Sequence, residues 1–212
     1  MAVAFEAIFS PSKKPLDHLI LSSYNVLSDS GLSFQNLVWK LSSVNGSPEI
    51  SDYQPVQVNG IEEVAGRTRR WWGRSMEWFS RKGGEVYLRI FSAGGEGYHI
   101  VYNEGSGIHR MRDQDEELQN ELLSILLNLS EAFGSDLCTY RSESTDWFRP
   151  PSVSDLREAI ERGPKWDGDL FIVSERVLDP ALKREIESLE PPLKRTTTGR
   201  YIVNYFGTRA TH

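Results

Sequence analysis

Four histidines, one cysteine and thirty carboxylates are the side chains of this 212-residue sequence with the widest chemical reach. His18, His99, His109 and His212 each stand alone, so neither HExxH nor any paired-histidine metal spacing is present. His99 lies in a β-rich run with Glu85 and Glu96 nearby in sequence, which would allow an acid–base pair across a hairpin. A strand histidine satisfied by its neighbours is the stronger reading. Asp167 and Asp169 flank a strand start and could hold a hard cation, but solvated turn carboxylates fit the spacing better, so no metal and no cofactor is expected. Cys138, the lone cysteine, can form neither an internal disulfide nor a multi-cysteine zinc site, and its expected role is a buried structural thiol. The P-loop, the GxSxG elbow and a GxGxxG following a strand are all missing. Neither Glu-x-Lys nor Asp-x-Lys, the metal-and-lysine tripeptides of restriction-type nucleases, occurs. The expectation is a protein that is not an enzyme and has no catalytic residue to name.

Charge is more informative than motif. Residues 1–110 hold 11 Lys/Arg and 11 Asp/Glu, whereas residues 111–212 hold 13 and 19, so the whole net charge of −6 resides in the second half. Such a balance repels phosphate backbones and favours a basic protein partner; direct nucleic-acid binding is not expected. Between 113 and 146 nine acids face one base, Arg141. One explanation is a solvated helix face whose first acids suit the helix dipole. The functional explanation is a docking face for a positively charged protein, built from Asp113, Asp115, Glu116, Glu117, Glu121, Glu143, Asp146 and Trp147, with Phe148 beside Trp147 as a second aromatic anchor. Steering by the acids would raise the encounter rate and the buried aromatics would supply affinity. A second cluster interleaves Arg67, Arg69, Arg70, Arg74, Arg81 and Lys82 with Trp71, Trp72, Trp78 and Phe79. It has the composition of a nucleic-acid surface, yet an amphipathic helix with its aromatics in the core is the expected reading.

These groups must be positioned by a mixed set of elements. Pro15 to Leu27 has apolar residues at helical spacing and a stop at Asp29-Ser30-Gly31. Phe34 to Leu41 reads as a strand, and the region up to Val58 as a loop. Ile61 to Lys82 reads as one helix ended by Gly83-Gly84, despite two internal glycines. EVYLRIF and GYHIVYN form an antiparallel hairpin around residues 92–96. The strongest helix starts at Asp113 and places Leu118, Leu122, Ile125, Leu126, Leu129 and Phe133 on one face, with Gly134 as its C-cap. Leu137–Arg141 follows as a strand, then a helix from Ser152/Ser154 to Gly163, a strand at Asp169–Ser174, a helix from Asp179-Pro180 to Glu190, and a strand at Arg200–Phe206. The expected fold class is therefore α+β, mainly antiparallel, with a central hairpin and several amphipathic helices packed on it, in a single domain spanning 1–212.

As a single acidic α+β domain, rich in Trp and without catalytic motifs, the chain resembles the immunity proteins of bacterial polymorphic-toxin systems. More specifically, the stretch RTRRWWGRSMEWFSRKGGEVYLRIF and the hairpin after it resemble the TsiT-like type VI secretion immunity proteins that neutralise restriction-endonuclease-fold DNase toxins. The resemblance covers about a third of the chain. It implies a cognate basic nuclease, inhibited by stoichiometric binding, through competition with DNA or by blocking entry. It assigns no individual residue. The alternatives are a small enzyme with a dispersed His/carboxylate site, or an adaptor with an unrelated partner. The start of the chain lacks a basic segment, a long apolar run and a cleavage site, so a mature start and a cytoplasmic location are expected. The densest apolar run, Leu122 to Leu129, is interrupted by Ser124 and Asn128 and does not suit a membrane span.

Overall fold

The computed structural model describes residues 5–44, 47–52, 54–81, 84–105, 115–142, 150–162, 170–189 and 193–204. Its strands are β1 (Phe5–Ser12), β2 (Leu32–Val44), β3 (Ser47–Ile50), β4 (Val56–Gln57), β5 (Gly73–Ser80), β6 (Glu85–Ser92), β7 (Tyr98–Glu104), β8 (Leu137–Ser142), β9 (Leu170–Ser174), β10 (Leu193–Arg195) and β11 (Arg200–Asn204). They form one sheet in the order β10-β11-β9-β8-β1-β7-β6-β5-β2-β3, with β4 also pairing β2. Every described pairing is antiparallel. The described α-helices are α1 (Leu16–Asp29), α2 (Ile61–Thr68), α3 (Glu116–Phe133), α4 (Val153–Arg162) and α5 (Pro180–Glu187). The expected α+β class with a mainly antiparallel sheet holds.

The two faces of the sheet are covered differently, because side chains alternate along every strand. On the first face α1, α2 and α3 bury Leu19, Ile20, Leu27, Val64, Leu126 and Phe133 against Phe9, Trp78, Leu88, Ile100 and Tyr140. Each large apolar side chain taken out of water there contributes about 1.5–3 kcal/mol. On the second face α4 and α5 cover only one end, where Leu156, Leu182 and Ile186 meet Leu137, Phe171, Val173, Tyr201 and Val203. Strands β9 and β11 are thus apolar on both sides, which explains their continuous runs LFIV and YIV. At the sheet centre the second face holds a smaller cluster, Ile8, Phe91 and Val101, with the Trp72 ring stacked 5.2 Å from that of Phe91.

Local patterns placed α1, α3 and the β6–β7 hairpin correctly. Asp115 caps α3, and Gly134 closes it in the left-handed region at φ 67°. The single helix expected from Ile61 to Lys82 is wrong. The helix stops at Thr68, and β5 runs between β2 and β6. Arg74, Met76 and Trp78 point to the first face and are buried, while Ser75, Glu77 and Phe79 alternate to the second. Gly73 is required by crowding: a Cβ there would lie 2.7 Å from Phe91 Cβ and 3.1 Å from Leu41 Cβ. Arg74 closes the end of α2, donating from Nη2 to the carbonyls of Thr68 (3.1 Å) and Trp71 (3.0 Å). Burial lowers the pKa of its guanidinium to about 10. The expected loop before Val58 contains the short strands β3 and β4, which add to β2. β1, for which the sequence offered no element, is a central strand between β7 and β8.

Candidate functional site

Within the acidic stretch, Asp115 has a structural task. Its Oδ1 accepts hydrogen bonds from the backbone N–H groups of Glu117 (2.9 Å) and Leu118 (3.2 Å), as an N-cap does. Glu116 and Glu117 follow in the first turn of α3, exposed and without an ion pair among the described residues. Glu121, one turn on, is partly buried. Asp113, Glu143, Asp146, Trp147 and Phe148 lie outside the described residues.

The other acids of this stretch lie far from that turn. A rise of about 1.5 Å per residue puts Glu131 roughly 22 Å along the helix from Glu116. There Glu131 accepts from the Thr198 hydroxyl at 2.6 Å, and Asp136 pairs with Arg176. Arg141, the lone base, lies 3.9 Å from the buried Glu6 carboxylate across the β1–β8 pairing. A groove of about 610 Å³ near the C-terminal end of α3 is lined by Glu131, Glu175, Arg176 and Arg200, among others. Its charges are satisfied within the protein. Glu175 bonds Lys183 and Arg195, and the Lys183 hydrogen bond is the main reason its carboxyl pKa is lowered. Arg200 donates to the carbonyls of Ser135 (2.8 Å) and Ser130 (3.3 Å), and burial lowers its pKa. Among the described acids of this stretch, Glu131 and Asp136 are thus held by partners at one end of α3, while Glu116 and Glu117 at the other are exposed with no ion pair among the described residues.

The alternative histidine chemistry does not assemble around Glu85. His99 pairs with Phe91 across the hairpin, its ring 5.4 Å from the phenyl ring, while Glu85 starts the same strand six residues away, about 20 Å at strand spacing. Burial lowers the His99 pKa against the opposing pull of Glu96. His18 is exposed near the start of α1; His109, His212, Asp167 and Asp169 lie outside the described residues. Among the described residues no group of three His, Cys, Asp or Glu side chains is placed to hold a metal ion. Cys138 is fully buried on the first face, and burial raises the pKa of its thiol. No described helix is long and apolar enough to cross a membrane.

Sequence reasoning missed a surface on the second face. Across β5 and β6, Glu77 stands opposite Tyr87 and Phe79 opposite Glu85, so acids and aromatics alternate like squares of a checkerboard. Trp39 of β2 adjoins them and donates its indole N–H to Glu77 Oε2 at 3.2 Å. The Tyr87 hydroxyl donates to Glu85 Oε2 at 2.7 Å; burial first, and then this carboxylate, raise the phenol pKa. Phe79 is 45% exposed. The period-two pattern Ser75-Met76-Glu77-Trp78-Phe79 carried the necessary information, but reading 61–82 as a helix scattered these residues around a cylinder.

No protein-family model matches the chain, and no curated protein sequence matches it. Among solved structures the chain is similar to a Pseudomonas aeruginosa T6SS protein, with 14% sequence identity over 99% of this chain and 68% of that one and a TM-score of 0.48. A likeness of that degree carries no weight for function.

Proposed function

We propose that the chain is an immunity protein, which binds a cognate bacterial toxin in the cytoplasm and neutralises it by stoichiometric protein–protein inhibition. The toxin is a basic nuclease effector delivered by type VI secretion. The observation that carries the reading is the acidic first turn of α3, where Glu116 and Glu117 are exposed and have no ion pair among the described residues, whereas at the far end of the helix the Thr198 hydroxyl holds Glu131 and Arg176 pairs with Asp136. Carboxylates that satisfy no group within the fold raise the local negative potential, which steers a positively charged surface into encounter. The middle of the sequence, with its resemblance to immunity proteins, supplies the toxin class.

The test is to purify the protein encoded beside this chain, assay it for DNA cleavage, and follow that cleavage while the chain is titrated in. Cleavage should cease at equal molar amounts, and the double variant Glu116→Lys/Glu117→Lys should slow association and flatten its salt dependence. Undiminished cleavage at tenfold molar excess would overturn the reading.

A further inference from the structure

We infer that the second face of the sheet at β2, β5 and β6 is the surface that anchors the partner, and that it receives an arginine- or lysine-bearing loop of that protein. The inference rests on the partner-binding reading above and names where the partner is held.

Neither α4 nor α5 reaches this end of the second face, since both pack on β8, β9 and β11. Opposed residues in the β5–β6 pairing have Cβ atoms about 4.5–5.5 Å apart, so the side chains of Glu77, Tyr87, Phe79 and Glu85 form one continuous patch. The carboxylates are oriented before any partner arrives. The Trp39 indole fixes Glu77 and the Tyr87 hydroxyl fixes Glu85, each through Oε2, leaving Oε1 with no hydrogen bond among the described residues. A guanidinium or ammonium group entering the patch finds a carboxylate oxygen and an aromatic ring side by side, the two surfaces that stabilise a cation away from water.

Other occupants fit less well. An apolar helix would bury two carboxylates without a compensating positive charge, which is costly, and a polyanion would be repelled by them. A second copy of this chain docking face to face would oppose like charges. The neighbouring cation on β6, Arg89, already has an interaction of its own, and Arg81 lies beyond Phe79 in the turn that leaves β5.

The first experiment titrates the isotope-labelled full chain with an octapeptide of alternating Arg and Gly, and separately with its Glu/Gly counterpart. The Arg peptide should shift the Trp39 indole N–H and the amides of 77–87, and the Glu peptide should not. Absence of a shift with the Arg peptide, or equal shifts with both, would overturn the inference. The second experiment uses the adjacent nuclease with two variants, Glu77→Gln/Glu85→Gln and Phe79→Ala, whose melting temperatures are checked first. Each should raise the dissociation rate by at least about tenfold with little change in association rate, as expected at a central anchor. If wild type and variants release the nuclease equally slowly, the surface is wrong and the immunity reading stands. If only Phe79→Ala matters, the patch takes an apolar group and the cationic assignment fails. If wild type does not bind the nuclease, the immunity reading falls, and the peptide titration alone decides the surface.

Discussion

Replacing the glycines of the β6–β7 turn by alanine, one at a time, should give three graded effects on stability from three neighbouring positions. Gly95 has no atom within 4 Å of an added Cβ and no positive φ, so Gly95→Ala should stay within about 0.5 kcal/mol of wild type or gain slightly from reduced unfolded-state freedom. Gly94 is equally open but sits at φ +64°, in the left-handed region, where a side chain costs about 1–2 kcal/mol. Gly97 combines both penalties. Its φ is +107°, and a Cβ would lie 2.1 Å from the carbonyl oxygen of Ser12, nearly an ångström inside the 3.0 Å limit that real Cβ atoms respect. The backbone strain costs about 1–3 kcal/mol and the overlap about 1–3 more, which sums to about 4 kcal/mol. Ser12 cannot retreat cheaply, because it pairs with Tyr98 beyond the register shift in β1 and donates its hydroxyl to the carbonyl of Phe133 at 2.6 Å. At about 2–4 °C per kcal/mol for a chain of this size, Gly97→Ala should melt roughly 10 °C lower. Urea unfolding followed by tryptophan fluorescence, with circular dichroism for the melts, would measure all three. A Gly97→Ala variant as stable as Gly95→Ala would refute the close approach of this turn to β1.

The cap and the open acids of α3 should separate by substitution. Asp115→Ala should cost about 1 kcal/mol in urea unfolding, because two backbone N–H groups lose their acceptor, whereas Asp115→Asn should retain most of that stability. Equal losses from the two variants would mean that charge, not capping, is what Asp115 contributes. For His99 burial holds the folded-state pKa below the ordinary histidine value of 6.5, so above that pH both folded and unfolded states are neutral there. As pH falls through 6.5, the unfolded state takes up its proton first and stability declines, until the folded state also protonates. His99→Gln should therefore reduce the loss in urea midpoint between pH 7.5 and pH 5; an unchanged loss would show that other groups cause it.

The elements legible in the sequence are those that local interactions determine. In α3 the apolar residues recur every three or four positions over five turns, Asp115 precedes them and Gly134 follows, so each signal lies within a few residues of the atoms it organises. The β6–β7 hairpin is equally local: its strands alternate, and glycines occupy the turn between them. The open carboxylates were also legible as residue types, since a run of acids at a helix start needs no tertiary knowledge to find. Their separation from Glu131 and Asp136 was not, because it depends on Arg176 and Thr198 returning from later in the chain.

Tertiary structure alone decided β1 and β5. β1 is a strand because Phe5–Phe9 lies between β7 and β8, whose residues come from nearly a hundred or more positions downstream. In β5 the sequence RRWWGRSMEWF has enough aromatics to satisfy either a helical or a strand period, and only the pairing with β2 and β6 selects period two. That choice also creates the patch of Glu77, Phe79, Glu85 and Tyr87, which exists only when two strands are in register. Helix and hairpin patterns are written in neighbouring residues, whereas strand pairing across a sheet is a free-energy decision shared among distant segments, and no single segment records it.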